Sequence, residues 1–200
     1  SRVFCFQAVR DGRARACPEG IHGGFCAAAR GPGDAMHVTA IVPAAGSGSR
    51  MASPLPKQFL RVRGIPLLAR TLMALRAAAG IDALILVVAP DQAERCREEV
   101  LRPFGLAVDE LVSGGEDRQA SVFAGLQAAP VATDLILVHD GARPFVTPEI
   151  VRRAIEAAAE AGGAVVALPV TDTIKQADGD LRVRGTPRRE ELWAAQTPQA

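Results

Sequence analysis

Four nearly uninterrupted apolar runs constrain the fold more than any other feature of this 200-residue chain. They occupy Val38–Pro43, Ala83–Val88, Leu135–His139 and Ala164–Val170. A run of this length without polar alternation is typical of a strand that is buried on both faces of a sheet. Helical patterns and one short strand separate the runs: Leu67–Ala79, Gln92–Phe104, Glu110–Val112, Arg118–Ala128 and Pro148–Ala161. The alternation predicts an α/β fold with a mainly parallel, doubly wound sheet that helices cover on both faces.

The two ends of the chain do not share this pattern. Residues 1–35 show no sustained period and offer no apolar face for a core. We expect an extension over residues 1–35 that is flexible or a start-site artefact, followed by one domain over residues 36–200. After Val170 the pattern weakens. Thr173–Gln176, Leu181–Arg184 and Leu192–Gln196 are interpreted as short strands of an excursion, such as a small protruding hairpin arm.

The composition argues against several classes of partner. The chain has 23 Lys and Arg against 22 Asp and Glu, and a net charge of +1 gives no reason to expect a nucleic-acid or membrane partner. No apolar stretch approaches a membrane-spanning length, and the N-terminus lacks the pattern of a secretory signal. A cytoplasmic location is therefore expected.

The four cysteines give little support for a metal site. Cys5, Cys17 and Cys26, together with His22, could supply four ligands, but their spacing matches no ordinary zinc template. Buried or incidental thiols are the preferred interpretation, and Cys96 lies within a helical pattern. No metal site built from side chains is predicted.

The first apolar run leads into a glycine-rich loop that is suited to an anion. The loop is Ala44-Ala45-Gly46-Ser47-Gly48-Ser49, and the cations Arg50 and Lys57 follow it. Glycine lets backbone N–H groups approach an anion closely, and nearby cations neutralise its charge. A Walker A loop would need a lysine directly after a glycine, and a dinucleotide-binding loop would need a third glycine where Met51 stands. The loop therefore favours a mononucleotide triphosphate and disfavours a dehydrogenase.

Lys57 is notable because lysine is rare in this chain. Among the 23 basic residues only Lys57 and Lys175 are lysines. An ammonium group is a compact charge that can follow a moving phosphate, whereas a guanidinium group is a rigid fork suited to a fixed one. The neighbouring loop favours a functional role for Lys57, while chance explains Lys175 equally well.

A second glycine-containing loop follows the short strand. In Ser113–Ser121, the pair Gly114-Gly115 admits close backbone approach, and Ser121 lies in the first turn of a helix. The Ser121 hydroxyl and free N–H groups there could bind a base edge or a ribose. The alternative, which this stretch alone favours, is an ordinary glycine turn with an acidic helix start.

Charged residues also follow the later strands. Asp140 could bind a metal or a sugar hydroxyl and Arg143 a phosphate, or the two could form a local pair that shapes the turn. His139 is interpreted as structural. Asp172–Lys175 and Arg188-Arg189 could reach a second anion or a second subunit, or could form a solvated basic tip. Because parallel strands present their carboxyl ends at one edge, these groups predict a site for a nucleotide and a second phosphorylated substrate.

Taken together, the motifs resemble a known family. They are AAGSGSRM with PKQ, SGGEDRQASV, LVHDGARPF, PVTDTIK and RREELWAAQTPQ, in order from about Val38 to Gln199. This set is similar to the 2-C-methyl-D-erythritol 4-phosphate cytidylyltransferases, which transfer CMP from CTP in the non-mevalonate isoprenoid pathway. The resemblance implies a Rossmann-like sheet of the nucleotide-diphospho-sugar transferase type and a homodimer formed through the arm. It also implies a C-terminally truncated member, whose activity without the family's further stretch and its lysine is left open.

The resemblance also implies roles for individual residues. Arg50 and Lys57 match the pair that stabilises the charged transition state. The implied contacts to the acceptor phosphate sugar are Asp140, Arg143, Thr173 and, from the neighbouring subunit, Arg189. The implied nucleotide-binding residues are Ala44, Ala45, Gly46, Gly115, Glu116, Ser121 and Gly141, to which the loop itself adds Ser47 and Gly48. Arg188 stands where the family usually has an acid, and the spacing to Leu192-Trp193 favours Arg189 as the arm arginine.

The implied reaction needs no protein nucleophile. An acceptor phosphate oxygen attacks the α-phosphorus of CTP in line and pyrophosphate leaves, with Mg²⁺ bound mainly through the CTP phosphates. Two other functions stay open. One is the same transfer to another polyol phosphate, such as ribitol 5-phosphate, and the other is a nucleotide-binding module without turnover.

Overall fold

The chain is built on one seven-stranded sheet. The computed structural model describes residues 2–4, 36–46 and 55–200. The strands in chain order are β1 (Arg2–Phe4), β2 (Val38–Pro43), β3 (Arg61–Val62), β4 (Ile65–Pro66), β5 (Ala83–Val88), β6 (Glu110–Ser113), β7 (Leu135–Val138), β8 (Val165–Pro169), β9 (Gln176–Ala177), β10 (Val183–Gly185) and β11 (Trp193–Gln199). The α-helices are α1 (Leu67–Arg76), α2 (Ala93–Cys96), α3 (Arg118–Gln127) and α4 (Pro148–Ala161). Short 3-10 helices cover Lys57–Phe59, Pro90–Gln92 and Arg189–Glu191, and a π-helical turn, Arg97–Leu101, extends α2.

Most strands of the central sheet run in the same direction. The sheet order is β1-β8-β11-β7-β2-β5-β6. β2 pairs in parallel with both β5 and β7, and β5 pairs in parallel with β6. β11 is antiparallel to β7 and to β8, so β8 shares the direction of β7, and β1 is antiparallel to β8 at the edge. The predicted mainly parallel sheet is confirmed.

Helices cover both faces of this sheet. On one face Val42 of β2 belongs to a core cluster that includes Leu72 of α1 and Val151 of α4. On the other face α3 lies over Ile41, and an added Cβ at Gly125 would come within 2.5 Å of Ile41 Cγ2. Any larger residue at position 125 would therefore force α3 away from the sheet.

The predicted elements before Val170 occur within about three residues of their expected bounds, as is usual for element ends. The expected hairpin arm is also found, because β9 and β10 pair only with each other. The interpretation of Leu192–Gln196 as part of that excursion is wrong. β11 returns to the central sheet, where Ala195 lies opposite Ala167 of β8. Ala194 and Ala195 remain exposed there, so the strand carries no apolar run by which the sequence could identify it.

Three residues of the predicted N-terminal extension are described. Arg2–Phe4 forms the edge strand β1, with Arg2 opposite Ala167 and Phe4 opposite Val165. Residues 5–35 lie outside the described residues, together with Cys5, Cys17, Cys26 and His22. The division into residues 1–35 and 36–200 therefore stays a prediction.

Two expectations drawn from composition can be compared with the described residues. Cys96 is fully buried, and burial raises the pKa of its thiol to about 12, which makes it a neutral packing residue. No helix in the described parts of the chain combines the length and the apolar character of a membrane span.

Candidate active site

Three loops meet at the carboxyl ends of the central parallel strands. β2 leads into Ala44–Gly46, β6 into Gly114-Gly115, and β7 into His139–Gly141. Backbone hydrogen bonds continue beyond the strands, because Ala44 N–H donates to Val87 O at 2.7 Å and Gly141 N–H donates to Pro43 O at 3.1 Å. The sheet itself therefore sets the relative positions of the loops, where α/β sheets bind their ligands.

The loops line a cleft of about 590 Å³, a size that suits a small ligand such as a nucleotide. The predicted site residues along it are Ala44, Ala45, Gly46, Lys57, Gly115, Glu116, Ser121, Asp140 and Gly141. Residues that no role was predicted for also line it, namely Pro43, Gln58, Asp117, Arg118 and Ala142. The fold thus brings the predicted nucleotide loops and the predicted acceptor residue Asp140 to one place.

Glycines allow the three loops to touch. An added Cβ at Gly114 would lie 2.6 Å from Ala45 Cβ, and one at Gly141 would lie 2.9 Å from Ala44 Cβ. At Gly115 it would lie 2.4 Å from Ala120 Cβ. Real Cβ atoms do not approach this closely. Glycine is therefore needed at positions 114 and 141 for packing between loops and at position 115 for packing against α3, whether or not a ligand is bound.

Lys57 projects from a short anchored turn beside the first loop. Lys57 is exposed, whereas Gln58 and Phe59, which follow it in the same 3-10 turn, are buried. The Gln58 side-chain amide donates to Ala44 O at 2.8 Å, to Gly46 O at 3.2 Å and to Gln92 Oε1 at 3.1 Å. The turn that carries the predicted catalytic lysine is therefore tied to the loop predicted to bind the nucleotide.

Asp140 lies between two arginines. Arg118 donates to Oδ1 through Nε at 3.2 Å and Nη2 at 3.1 Å, and Arg143 donates to Oδ2 through Nε at 3.0 Å. Arg143 also bonds to Gln196 Oε1. The local Asp140–Arg143 pair considered from the sequence is thus present, and Arg118 adds a second cation from α3. All three side chains reach solvent, so a charged substrate can approach them.

His139 holds the turn that carries Asp140 and Arg143. The imidazole is 1% exposed, and its Nε2 lies 3.0 Å from Arg143 O. A carbonyl oxygen only accepts, so Nε2 carries the proton in this pairing. Burial lowers the pKa of His139, which keeps the ring neutral, and Nδ1 has no partner among the described residues. The structural interpretation of His139 agrees with this geometry.

The start of α3 carries a capping acid, which is compatible with the alternative of an ordinary glycine turn and an acidic helix start. Asp117 is the N-cap, and its Oδ1 accepts from Ala120 N–H at 2.7 Å. The Ser121 hydroxyl donates to Asp117 O at 2.8 Å, so it can only accept from a ligand in this arrangement. Ser121 is 2% exposed, although it lines the cleft.

Comparison with known proteins identifies the family. A family model described as IspD, 2-C-methyl-D-erythritol 4-phosphate cytidylyltransferase, matches residues 38–200. The chain belongs to this family. A cytidylyltransferase of the same name from Geobacter metallireducens is 44% identical over 169 residues, which cover 82% of this chain and 72% of the relative.

Solved structures of the cytidylyltransferase family agree with the fold. The crystal structure of 4-diphosphocytidyl-2C-methyl-D-erythritol synthase from Anaerococcus prevotii gives a TM-score of 0.71 at 33% identity, and covers 82% of this chain and 69% of that one. The 2-C-methyl-D-erythritol 4-phosphate cytidylyltransferase from Thermus thermophilus gives 0.60 at 40% identity, with 82% and 70% covered. The Rossmann-like sheet implied by the motifs is thereby confirmed.

Some residues with family-implied roles lie away from the cleft or outside the described residues. Thr173 is exposed on the segment before β9. Arg189 donates through Nη1 to Thr171 O at 3.2 Å, and Arg188 pairs with Glu190 and Glu191. Arg50, Ser47 and Gly48 fall within residues 47–54, which are not described. Their roles stay predictions.

Among the cleft residues without a predicted role, two have polar side chains that connect separate segments of the chain, Gln58 and Arg118. Gln58 lies in the motif PKQ and Arg118 in the motif GEDRQ. Roles were predicted only for their neighbours Lys57, Gly115 and Glu116. A polar residue directly before the buried Phe59 was an available signal for Gln58. Arg118 meets Asp140 across 22 residues of sequence, a contact that no local pattern indicates.

The stability of the chain as a function of pH tests the burial of His139. Between the lowered folded pKa and the ordinary value of 6.5, the unfolded chain binds a proton that the folded chain does not. Lowering the pH from about 7.5 to about 5.5 therefore costs the wild-type chain stability that a His139→Gln variant cannot lose. We expect the difference in melting temperature between the wild-type chain and the His139→Gln variant to shrink as the pH is lowered over this range. A constant or growing advantage would contradict this assignment, since all other titrating groups are shared.

Proposed function

We propose that this chain transfers CMP from CTP to 2-C-methyl-D-erythritol 4-phosphate, which gives 4-diphosphocytidyl-2-C-methyl-D-erythritol and pyrophosphate. The observation that carries the proposal is the single cleft in which both nucleotide loops, Lys57 and Asp140 lie together. Family membership supports this acceptor over ribitol 5-phosphate, because the relatives bear the methylerythritol phosphate name. It equally supports an enzyme over a binding module without turnover.

The reaction depends on positioning and on charge stabilisation. An oxygen of the acceptor phosphate forms a bond to the α-phosphorus of CTP, while the bond from that phosphorus to the bridging oxygen of pyrophosphate breaks. Negative charge rises on the oxygens of the α-phosphate during this exchange, and Lys57, with Arg50, stabilises it. Ala44–Gly46 and Gly115 bind the nucleotide, and Asp140 with Arg143 orients the acceptor.

Mg²⁺ is the cofactor that we propose. Within residues 36–46 and 55–200, no three His, Cys, Asp or Glu side chains are grouped so that they could hold a metal ion. Asp140 in the cleft is already paired with Arg118 and Arg143. Such a donor set fits a cation that arrives with the triphosphate rather than one held in a protein cage. Bound there through the triphosphate, Mg²⁺ would supply charge neutralisation on the phosphate oxygens.

Pyrophosphate release tests the function, the acceptor and the metal together. We expect release from the wild-type chain only when CTP, Mg²⁺ and 2-C-methyl-D-erythritol 4-phosphate are all present, because the transfer needs both substrates in the cleft. Chelation by EDTA should abolish release, and excess Mg²⁺ should restore it. Equal or faster release with ribitol 5-phosphate would overturn the proposed acceptor. A chain that binds CTP in calorimetry but releases no pyrophosphate would support the binding module.

The role of Lys57 predicts a split between turnover and binding. Lys57→Ala should lower kcat on the order of a hundred- to a thousandfold, because it removes a donor whose contact strengthens in the transition state. The affinity for CTP, measured by calorimetry, should change much less. Lys175→Ala is the matched control, since Lys175 is the other lysine and bonds to Thr186 on the arm. Comparable losses in kcat and CTP affinity for Lys57→Ala would remove the transition-state role.

We propose a homodimer formed through the arm, the hairpin of β9 and β10. The arm and the segment just before it carry three exposed large apolar side chains, Ile174, Leu181 and Val183. Such a concentration of apolar surface is typical of an interface between subunits. The expected reach of Arg189 toward a neighbouring acceptor site agrees with this arrangement. A cytoplasmic location, expected from the sequence, also stays a proposal.

The oligomeric state tests the arm directly. In sedimentation velocity the wild-type chain should be a dimer, and the double variant Leu181→Asp, Val183→Asp should be a monomer, because two charges would be placed in the apolar contact. Val131→Asp is the control, since Val131 is fully exposed but lies outside the arm. A wild-type monomer, or a dimer that survives both charges, would contradict the proposed interface.

A further inference from the structure

We propose that Gln58 is a positioning residue that holds the nucleotide loop and the turn of Lys57 in one arrangement. The inference rests on the proposed function and concerns the same cleft. Gln58 is 1% exposed, and its side chain is one of the few buried polar groups of the described chain. A buried amide that made no hydrogen bonds would be costly, so its partners define its role.

The amide nitrogen of Gln58 binds carbonyl groups of the glycine-rich loop. Its Nε2 lies 2.8 Å from Ala44 O and 3.2 Å from Gly46 O, two carbonyls at the start of the glycine-rich loop. In a trans peptide the carbonyl and the following N–H point in opposite directions. Capture of the Ala44 carbonyl therefore turns the N–H of Ala45 away from Gln58, and a loop that binds an anion needs such N–H groups free of protein acceptors.

Few other contacts could fix this part of the loop. Among the described residues, the sheet's hydrogen-bond ladder extends into this loop at Ala44, whose N–H donates to Val87 O, and Ala45 packs beside Gly114. A Cβ at Gly46 would meet no described atom within 4 Å, so none of the described side chains packs closely against that position. The hydrogen bonds of Gln58 fix the orientation of the Ala44 and Gly46 carbonyls. Gln92 Oε1 lies 3.1 Å from the same nitrogen, so the two amide hydrogens are shared among three acceptors.

The same residue sets the base from which Lys57 projects. Lys57–Phe59 forms a single 3-10 turn in which Leu60 N–H donates to Lys57 O at 3.2 Å. Phe59 fixes this turn in the core, where it is fully buried, and Gln58 fixes it to the loop. A cation that must follow charge on the α-phosphate needs its backbone held relative to the nucleotide, since a displacement of about 1 Å can cost a hundredfold in rate.

Three variants test this role. Gln58→Leu keeps the approximate volume but removes the donor, and it should lower kcat/KM for CTP by about a hundredfold while the KM for the acceptor changes less than about threefold. Gln58→Glu would place a carboxylate oxygen against two carbonyl oxygens, so its kcat/KM for CTP should fall further than that of Gln58→Leu. Gln127→Leu makes the same chemical change at an exposed position of α3 and should behave as wild type.

A double-mutant cycle separates positioning from a general structural role. If Gln58 acts through Lys57, Gln58→Leu should lower kcat by less than about threefold when Lys57 is already alanine. Its effect on CTP affinity should persist in that background, because the loop carbonyls are still released. Melting temperatures are measured for every variant. Should Gln58→Leu not fold, Gln58→Asn keeps a buried amide but withdraws it from the carbonyls, and it should show the same pattern.

The outcomes distinguish this inference from the proposed function. Turnover of CTP and methylerythritol phosphate by the wild-type chain tests the proposed function. The kcat/KM of each Gln58 variant relative to that of the wild type tests the role of Gln58. If the wild-type chain shows no turnover, the CTP affinities of variant and wild type, measured by calorimetry, are compared instead. Folded Gln58 variants within about threefold of wild type in both kcat and CTP affinity, or strictly additive effects with Lys57→Ala, would overturn the inference. A wild-type chain that neither binds nor converts CTP would overturn both.

Discussion

The parallel pairing of β2 with β5 on one side and with β7 on the other is the constraint on which the site depends. β2 is buried from Val38 to Val42, with Pro43 half-buried, and each of its neighbours ends at the same edge of the sheet. The hydrogen-bond ladder continues into the loops, as Ala44 N–H to Val87 O and Gly141 N–H to Pro43 O. A loop that is an extension of a ladder has little freedom to move independently. The cleft is therefore positioned by the core of the sheet, and binding a nucleotide there requires little ordering of the strand ends.

Glycine has a double role at this edge. Glycines in these loops let a ligand approach the backbone closely. The structure adds a reason that is independent of any ligand, because Gly114 and Gly141 lie where a side chain would collide with Ala45 and Ala44. Small residues on both sides of each contact let three loops converge within one cleft. The same small residues keep the backbone exposed to whatever the cleft binds, so packing and binding favour the same residue types here.

The sequence predicted what depends on local pattern and missed what depends on distant contacts. β2, β5 and α4 were placed at their observed bounds, because continuous apolar runs and a one-sided helix leave few alternatives. β11 was assigned to the arm, because its exposed alanines give no strand pattern and its partners lie elsewhere in the chain. In the site, the motifs pointed to the loops, whereas the bond of Gln58 to the loop carbonyls and the pairing of Arg118 with Asp140 arise only when separate segments are folded together. Local patterns therefore identify the positions of a site, and its internal connections require the fold.

If Asp140 and Arg143 bind the acceptor as proposed, the two arginines on Asp140 allow a phosphate to enter without leaving that carboxylate unpaired. Arg143 and Arg118 bind different oxygens of the same carboxylate, and all three side chains are partly exposed. Ion pairs of this kind contribute little, about 0–1 kcal/mol, so exchanging one partner for a ligand costs little. If Arg143 turns to a phosphate, Asp140 keeps its pairing with Arg118. The neutral imidazole of His139 holds Arg143 O on the inner side of the same turn, so the exchange involves side chains and leaves the backbone in place. The backbone of this turn is held by the buried His139, whereas its exposed charged side chains form only weak ion pairs. Such a turn is suited to a substrate that must bind, react and leave.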